Sequence, residues 1–183
     1  MTRQFARWNV LLAAMAALTL VISAQENKTN ENLPNFHQVS ENLYRGAQPH
    51  RGGLKKLSEL GIKTIINLRG ASEETRNEQV EAEASGMRYF NIPMSGLGRP
   101  SDDQVERALS IIDARENWPV FVHCQRGADR TGVVIAVYRM MREQWTEQQA
   151  IDEAKRFGLA TIQFRKKGYI SDYHKRHSDA TRQ

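Results

Sequence analysis

Val120-Phe121-Val122-His123-Cys124-Gln125-Arg126-Gly127-Ala128-Asp129-Arg130-Thr131-Gly132-Val133 is the stretch that decides the fold of this chain. Pro119 opens a short apolar, β-branched run, Val120 to Val122, with the composition of a buried strand. From Val133 to Met141 the chain is apolar almost all round, the pattern of a helix buried at the centre of a domain. Between strand and helix stands the sole cysteine, Cys124, with Arg130 six places on and Thr131 next to it. At ordinary residue frequencies that spacing arises by chance about 1% of the time, before the strand and the two glycines are considered.

A loop that turns into a helix N-terminus aims successive backbone N–H groups, and the positive end of the helix dipole, into its own bowl. A phosphate fits there, and so does a thiolate. Cys124 is therefore expected to be ionised and nucleophilic near neutral pH. Arg130 offers a planar fork to two phosphate oxygens, where a lysine would be only a point charge. Gly127 is expected to take backbone angles that a Cβ opposes, and Gly132 to let helix and sheet approach closely. The Thr131 hydroxyl can donate to the sulfur and ease its departure. Gln125, Arg126, Gly127, Ala128, Asp129, Arg130 and Thr131 are the candidate substrate-binding residues, with Asp129 anchoring the loop backbone or an arginine.

Outward from this loop, strands alternate with helices. Leu43-Tyr44-Arg45 is a short strand ended by Gly46, and Gly53 to Leu60 has helical spacing closed by Gly61. Ile62 to Leu68 is an apolar, β-branched strand; Ser72 caps a helix from Glu73 to Ser85, closed by Gly86. Arg88 to Ile92 is a further strand, and Ser101 caps a helix carrying Val105, Ala108, Leu109 and Ile112. Thr146 caps a helix running to Phe157, and the tail after Tyr169 reads as polar and basic. The cadence predicts an α/β domain: a mostly parallel central sheet of four to five strands with helices on both faces. In such sheets ligands bind beyond the carboxyl ends of the strands, which is where Cys124 falls.

The chain has 183 residues, 40% hydrophobic and 26% charged, enough for one globular domain with a short extension. The formal charge of +5 is spread along the chain without an aromatic-interleaved basic run, which fits an anionic substrate and excludes a dedicated nucleic-acid surface. One cysteine allows no internal disulfide. The amino end has the form of an export signal: Arg3 and Arg7, an apolar run from Val10 to Ile22, then Ser23-Ala24 as a small-residue exit. The run is too short for a comfortable membrane span, although an uncleaved anchor is the alternative. Cleavage after Ala24 removes two arginines and no acid, leaves no stable span, and sends the product to the periplasm or outside the cell. The domain plan is thus a signal peptide over 1–24, a flexible lead over 25–36, the catalytic domain over 37–177 and a polar tail over 178–183. An Asn27-Lys28-Thr29 sequon falls in the lead.

The His-Cys-x5-Arg-Thr-Gly segment resembles the signature of the protein tyrosine and dual-specificity phosphatase superfamily. The likeness extends over roughly Asn42 to Phe164, including Asn42-Leu43-Tyr44-Arg45-Gly46-Ala47-Gln48-Pro49 and Ile66-Asn67-Leu68-Arg69, and looks closest to the compact bacterial and fungal or plant branch. The resemblance implies a phospho-cysteine intermediate on Cys124, phosphate binding by Arg130 and a loop-orienting role for His123. It implies no metal and no organic cofactor. The partner it implies is a phosphorylated protein or a small phosphorylated molecule.

That family also implies a general acid on the loop after the strand Arg88 to Ile92, yet Met94 to Pro100 carries no acid. Asp102 is the candidate nearest that loop, with Asp103 beside it. Both also suit the first turn of a capped helix. Glu73 and Glu74 are the next source. Arg126 and Arg69 can add positive charge around the pocket, which suits a multiply phosphorylated substrate, or they can be solvated arginines. Three functions follow: a phosphatase for phosphotyrosine with some phosphoserine and phosphothreonine, a phosphoinositide or inositol phosphate phosphatase, and a phospho-ligand binding protein with weak turnover.

Overall fold

The computed structural model describes residues 31–180. The leader with Arg3, Arg7 and Ala24, the sequon at Asn27 and residues 181–183 lie outside the described residues. Five strands form one sheet: β1 (His37–Ser40), β2 (Leu43–Gly46), β3 (Thr64–Asn67), β4 (Arg88–Asn91) and β5 (Val120–His123). The spatial order is β1-β2-β5-β3-β4, with β1 antiparallel to β2 and every other pair parallel. The mostly parallel sheet expected from the strand–helix cadence is the one observed, at five strands.

Among the described residues six helices cover it: α1 (Gly53–Glu59), α2 (Glu73–Ala84), α3 (Asp102–Asp113), α4 (Asp129–Arg142), α5 (Glu147–Arg156) and α6 (Phe164–Ala180). Alternating strand side chains divide the core between two faces. Ile65 and Phe121 meet Leu54, Leu57 and Ala82 of α1 and α2 on one side. Ile66, Val120 and Val122 meet α3, α4, α5 and α6 on the other. Helix α4 is buried on nearly every side, as its unbroken apolar run requires. Ser101 and Thr146 form full capping boxes with Gln104 and Gln149, so the starts of α3 and α5 are fixed locally.

Two boundaries differ from the sequence reading. Leu33 is 1% exposed and Phe36 packs on the core, so the end of the segment read as a flexible lead belongs to the domain. At the other end, the basic tail folds as α6. Lys166, Tyr169, Ile170 and Tyr173 recur at helical spacing and are buried, a stripe that the surrounding charges conceal in the sequence. Among the described residues no helix is long and apolar enough to cross a membrane.

Candidate active site

Sheet register positions the site. Gly46, His123, Asn67 and Asn91 stand side by side at the carboxyl ends of β2, β5, β3 and β4. The loop after β5 therefore leaves from the middle of that edge, between two parallel neighbours, and enters α4 at Asp129.

Three consecutive loop carbonyls are turned outward and held by the β2 side of the molecule. The Gln48 N–H donates to the Gln125 carbonyl at 3.4 Å, Asn35 Nδ2 to Arg126 at 3.1 Å and Arg45 Nη2 to Gly127 at 2.8 Å. With those carbonyls facing away, the Arg126 and Thr131 N–H groups are directed to the Cys124 sulfur, which is what an anion site needs. Gly127 takes φ +68°, and a Cβ there would collide with the Gly46 backbone. Gly132 behaves differently from expectation: it faces Ala154 of α5, with ordinary contact room for a methyl group, and does not govern the approach of helix to sheet.

Cys124 lies at the bottom of this bowl, 2% exposed. Burial is the largest influence on its thiol and opposes ionisation. The Thr131 hydroxyl and N–H, the Arg130 charge and the Arg126 N–H together outweigh it and hold the thiol below its ordinary value. Thr131 is itself fully buried, with its hydroxyl directed at the sulfur. Arg130 is half-buried, and its Nη1 donates to the Leu68 carbonyl at the end of β3 at 3.4 Å. Gln125 and Arg126 are exposed on the rim, whereas Gly127 and Ala128 are buried. Asp129 accepts from Arg126 Nη2 and from the Ala160 N–H at 3.3 Å, so it braces the loop from the α5–α6 side.

A buried polar chain leads from the signature histidine. His123 Nε2 lies 2.6 Å from Glu78 Oε1, with side-chain exposures of 0% and 4%. Glu78 also accepts from Gln48 and from Asn67 Nδ2, and Gln48 in turn accepts from Arg69 Nη1 at 2.7 Å. Burial works most strongly against the Glu78 carboxylate, but His123, Gln48 and Arg69 prevail and keep its pKa below the usual range. Arg69 is thus placed on the active edge but tied to Gln48.

Arg45, Asn35, Gln48 and Glu78 are site residues that the sequence reading did not single out. Each acts across a long sequence separation, and the one signal was the Asn42-to-Pro49 stretch. Lys166 is another: 1% exposed, it donates to the Gly96 carbonyl at 2.8 Å and to Gln163 Oε1 at 3.2 Å.

Asp102 is not joined to the loop by any hydrogen bond or ion pair of the described residues. It opens α3, and its carboxylate accepts from Arg176 Nη2 of α6 at 2.8 Å. Tyr169 lies against the same carboxylate; burial first, and Asp102 second, push its phenol upward. Asp103 shares that first turn, and Glu73 and Glu74 form the first turn of α2 under the Ser72 cap. Among the described residues no His, Cys, Asp and Glu side chains are grouped to hold a metal ion.

A family model described as "DSP-PTPase phosphatase fused to NAD+ Kinase" matches residues 3–172. The chain belongs to the DSP-PTPase phosphatase family. Two curated relatives of this DSP-PTPase chain are the inositol diphosphatase DSP1 of Oryza sativa subsp. japonica and the dual specificity protein phosphatase TpbA of Pseudomonas aeruginosa. DSP1 is 28% identical over 69% of this chain and 58% of its own length; TpbA is 30% identical over 68% of this chain and 55% of its own. The DSP-PTPase chain thus spans little more than half the length of these two relatives. Among solved structures, the catalytic core of the PP-IP phosphatase Siw14 from S. cerevisiae matches with TM-score 0.66 at 25% identity, over 80% of this chain and 93% of that one. A TpbA variant in complex with pTyr matches with TM-score 0.64 at 25% identity, over 74% of this chain and 82% of that one. Both have the cysteine phosphatase fold described above.

Proposed function

We propose that this chain is a cysteine-dependent phosphatase that hydrolyses phosphate monoesters, phosphotyrosine foremost, with phosphoserine and phosphothreonine also accepted. One observation carries the reading: a thiol held below its ordinary pKa beside a loop whose Gln125, Arg126 and Gly127 carbonyls are tied outward. The Cys124 thiolate attacks phosphorus in line with the ester oxygen, forming the S–P bond as the P–O bond breaks. Arg130 and the converging N–H groups hold the equatorial oxygens, where transition-state charge is spread. The departing oxygen takes a proton. Water then attacks phosphorus, giving its proton to the group that protonated the leaving oxygen, the S–P bond breaks, and the Thr131 hydroxyl stabilises the returning thiolate. Asp102 is the proposed donor to the leaving oxygen, and to serve it must release Arg176 as substrate enters.

A second reading, hydrolysis of an inositol phosphate or diphosphate, is favoured by the similarity to DSP1 and Siw14. Export through the leader over residues 1–24 belongs to the same proposal and is supported by the Arg3/Arg7 start and the Ala24 exit. Turnover of phosphotyrosyl peptides, phosphoinositides and inositol phosphates by the purified protein and by its Cys124→Ser variant tests the activity. Turnover that survives in Cys124→Ser removes the mechanism altogether. Wild-type protein that binds phosphoryl ligands without hydrolysing them is a binding protein instead.

A further inference from the structure

One face of α6 is given over to the loop between β4 and α3. Lys166 Nζ donates to the Gly96 carbonyl at 2.8 Å, Asp172 accepts from Arg99 Nη1 at 2.6 Å, and Arg176 Nη2 donates to Asp102 at 2.8 Å. The Tyr169 ring lies under the Arg99 guanidinium, at 5.0 Å. Positions 166, 169, 172 and 176 fall on one side of a helix, so a single element grips the loop at its start, middle and end.

The ties are unequal. Both ion pairs lie at the surface, each of their side chains at least 41% exposed, where water and salt leave little of the attraction. Lys166 is 1% exposed, and it also donates to Gln163 Oε1 at 3.2 Å. Without its ammonium the Gly96 carbonyl keeps only the longer bond from Gln163 Nε2, at 3.4 Å. An ammonium withdrawn from water costs stability that an apolar side chain of the same size would not. What the lysine adds is a fixed place for Gly96.

The loop so held meets the phosphate site. Its first N–H, that of Met94, donates to the Leu68 carbonyl at 3.2 Å, and the same carbonyl accepts from Arg130 Nη1 at 3.4 Å. The Met94 side chain is buried in the core cluster that contains Cys124. The Lys166 ammonium is close enough to feel the reacting groups. Burial, the largest influence, lowers its pKa; Asp129 opposes that, Arg130 reinforces it and Cys124 opposes it.

We propose that Lys166 is a positioning residue for phosphoryl transfer: it pins the β4–α3 loop at Gly96, and through Met94 and Leu68 the loop keeps Arg130 aimed at the phosphate. The inference rests on the phosphatase reading and adds to it the group that holds the loop.

Lys166→Met keeps the bulk and removes the donor, whereas Lys166→Arg keeps the charge and restores donors. The measurements are kcat and KM on a phosphotyrosyl peptide, and amide hydrogen exchange over residues 94–99. Lys166→Met should lose about ten-fold in kcat with little change in KM, and its exchange over that loop should quicken. Lys166→Arg should recover most of both. Asp172→Asn, which opens a surface tie alone, should leave kcat unchanged. Thermal unfolding shows which variants are folded. Lys166→Gln, measured alongside, should follow Lys166→Met and supplies the answer if the methionine variant is unfolded. Faster exchange with wild-type kcat overturns the proposal, since the lysine is then structural only. A lower kcat with unmoved exchange overturns it too, because the ammonium then acts by charge and not through the loop. If the wild type does not turn the peptide over, the phosphatase reading fails separately and orthovanadate binding decides. About ten-fold weaker binding by Lys166→Met upholds the role, and equal binding refutes it.

Discussion

Arg45 reaches across 82 residues of chain and donates through Nη2 to the Gly127 carbonyl at 2.8 Å. Its guanidinium is 1% exposed and lies over the Phe157 ring at 4.1 Å. Burial lowers its pKa to about 10, with Glu153 and Cys124 working in the opposite direction, so it is a cation at neutral pH. A positive charge thus stands behind the thiolate while the same group fixes the loop in front of it.

Replacing Arg45 by methionine keeps bulk and removes both effects. The Cys124 thiol should then ionise at higher pH, and the acid limb of kcat/KM should move the same way. Alkylation of Cys124 by iodoacetamide, followed against pH, checks this directly. The buried Gly127 carbonyl also loses a charge-assisted bond, which should cost about 1.5–3 kcal/mol in urea unfolding. Arg45→Lys should restore part of the thiol's acidity without the contact over Phe157. An unmoved thiol titration in Arg45→Met removes Arg45 from the chemistry.

The two glycines of the signature should respond in opposite ways. Gly127→Ala forces a side chain into the left-handed region and onto the Gly46 backbone, so activity should vanish. Gly132→Ala puts a methyl at ordinary contact distance from Ala154 inside a helix. It should leave rates unchanged and raise stability by about 0.5–1 kcal/mol. Thermal unfolding and steady-state rates of the two variants give the answer together.

Glu78 links stability to acidity. Its pKa is depressed in the folded protein, so the stability it contributes is fully present above the unfolded glutamate value. That stability is lost as pH falls through the lower folded value. The wild type should therefore weaken progressively below about pH 4.3, and Glu78→Gln should show a shallower loss over that window. At pH 7 the same variant exchanges the carboxylate facing His123 Nε2 for an amide and should cost about 1–3 kcal/mol. Parallel pH dependences for the two proteins would show that Glu78 is not the group responsible.

Asp102→Asn addresses the proton donor. As a donor, its loss should slow phosphotyrosine hydrolysis by about 10²–10⁴ and abolish the basic limb of the pH profile, while aryl phosphates with acidic leaving groups hardly change. As a partner of Arg176 alone, its loss costs about 0.2–1 kcal/mol of stability and leaves the rates intact. Wild-type kinetics in Asp102→Asn would assign the residue to the start of α3, with Asp103→Asn, Glu73→Gln and Glu74→Gln as the next variants to measure.

The catalytic loop was legible in the sequence because everything that makes it is local: a strand, a cysteine, an arginine six places on and a buried helix. The parallel sheet was legible for the same reason, since capping residues and glycines mark each element. What holds the loop was not. Asn35, Arg45, Gln48 and Glu78 work through contacts between distant segments, and no local pattern distinguishes a buried Arg45 from a surface one. Helix α6 was hidden because its buried stripe, Lys166, Tyr169, Ile170 and Tyr173, contains a lysine and is diluted by six other Lys, Arg, His and Asp residues from 165 to 176. Gly132 was misassigned because a helical glycine looks the same whether it faces a sheet or a neighbouring helix.

The three donors that turn the loop carbonyls outward, Asn35, Arg45 and Gln48, all precede Cys124 in the chain. Synthesis runs amino end first, so the groups that clamp the loop exist before the nucleophile does. The Ala160 brace on Asp129 comes only afterwards. A nascent chain halted just beyond Gly132 would already contain all three clamping donors and the thiol, but neither the Ala160 brace nor the Phe157 ring under Arg45.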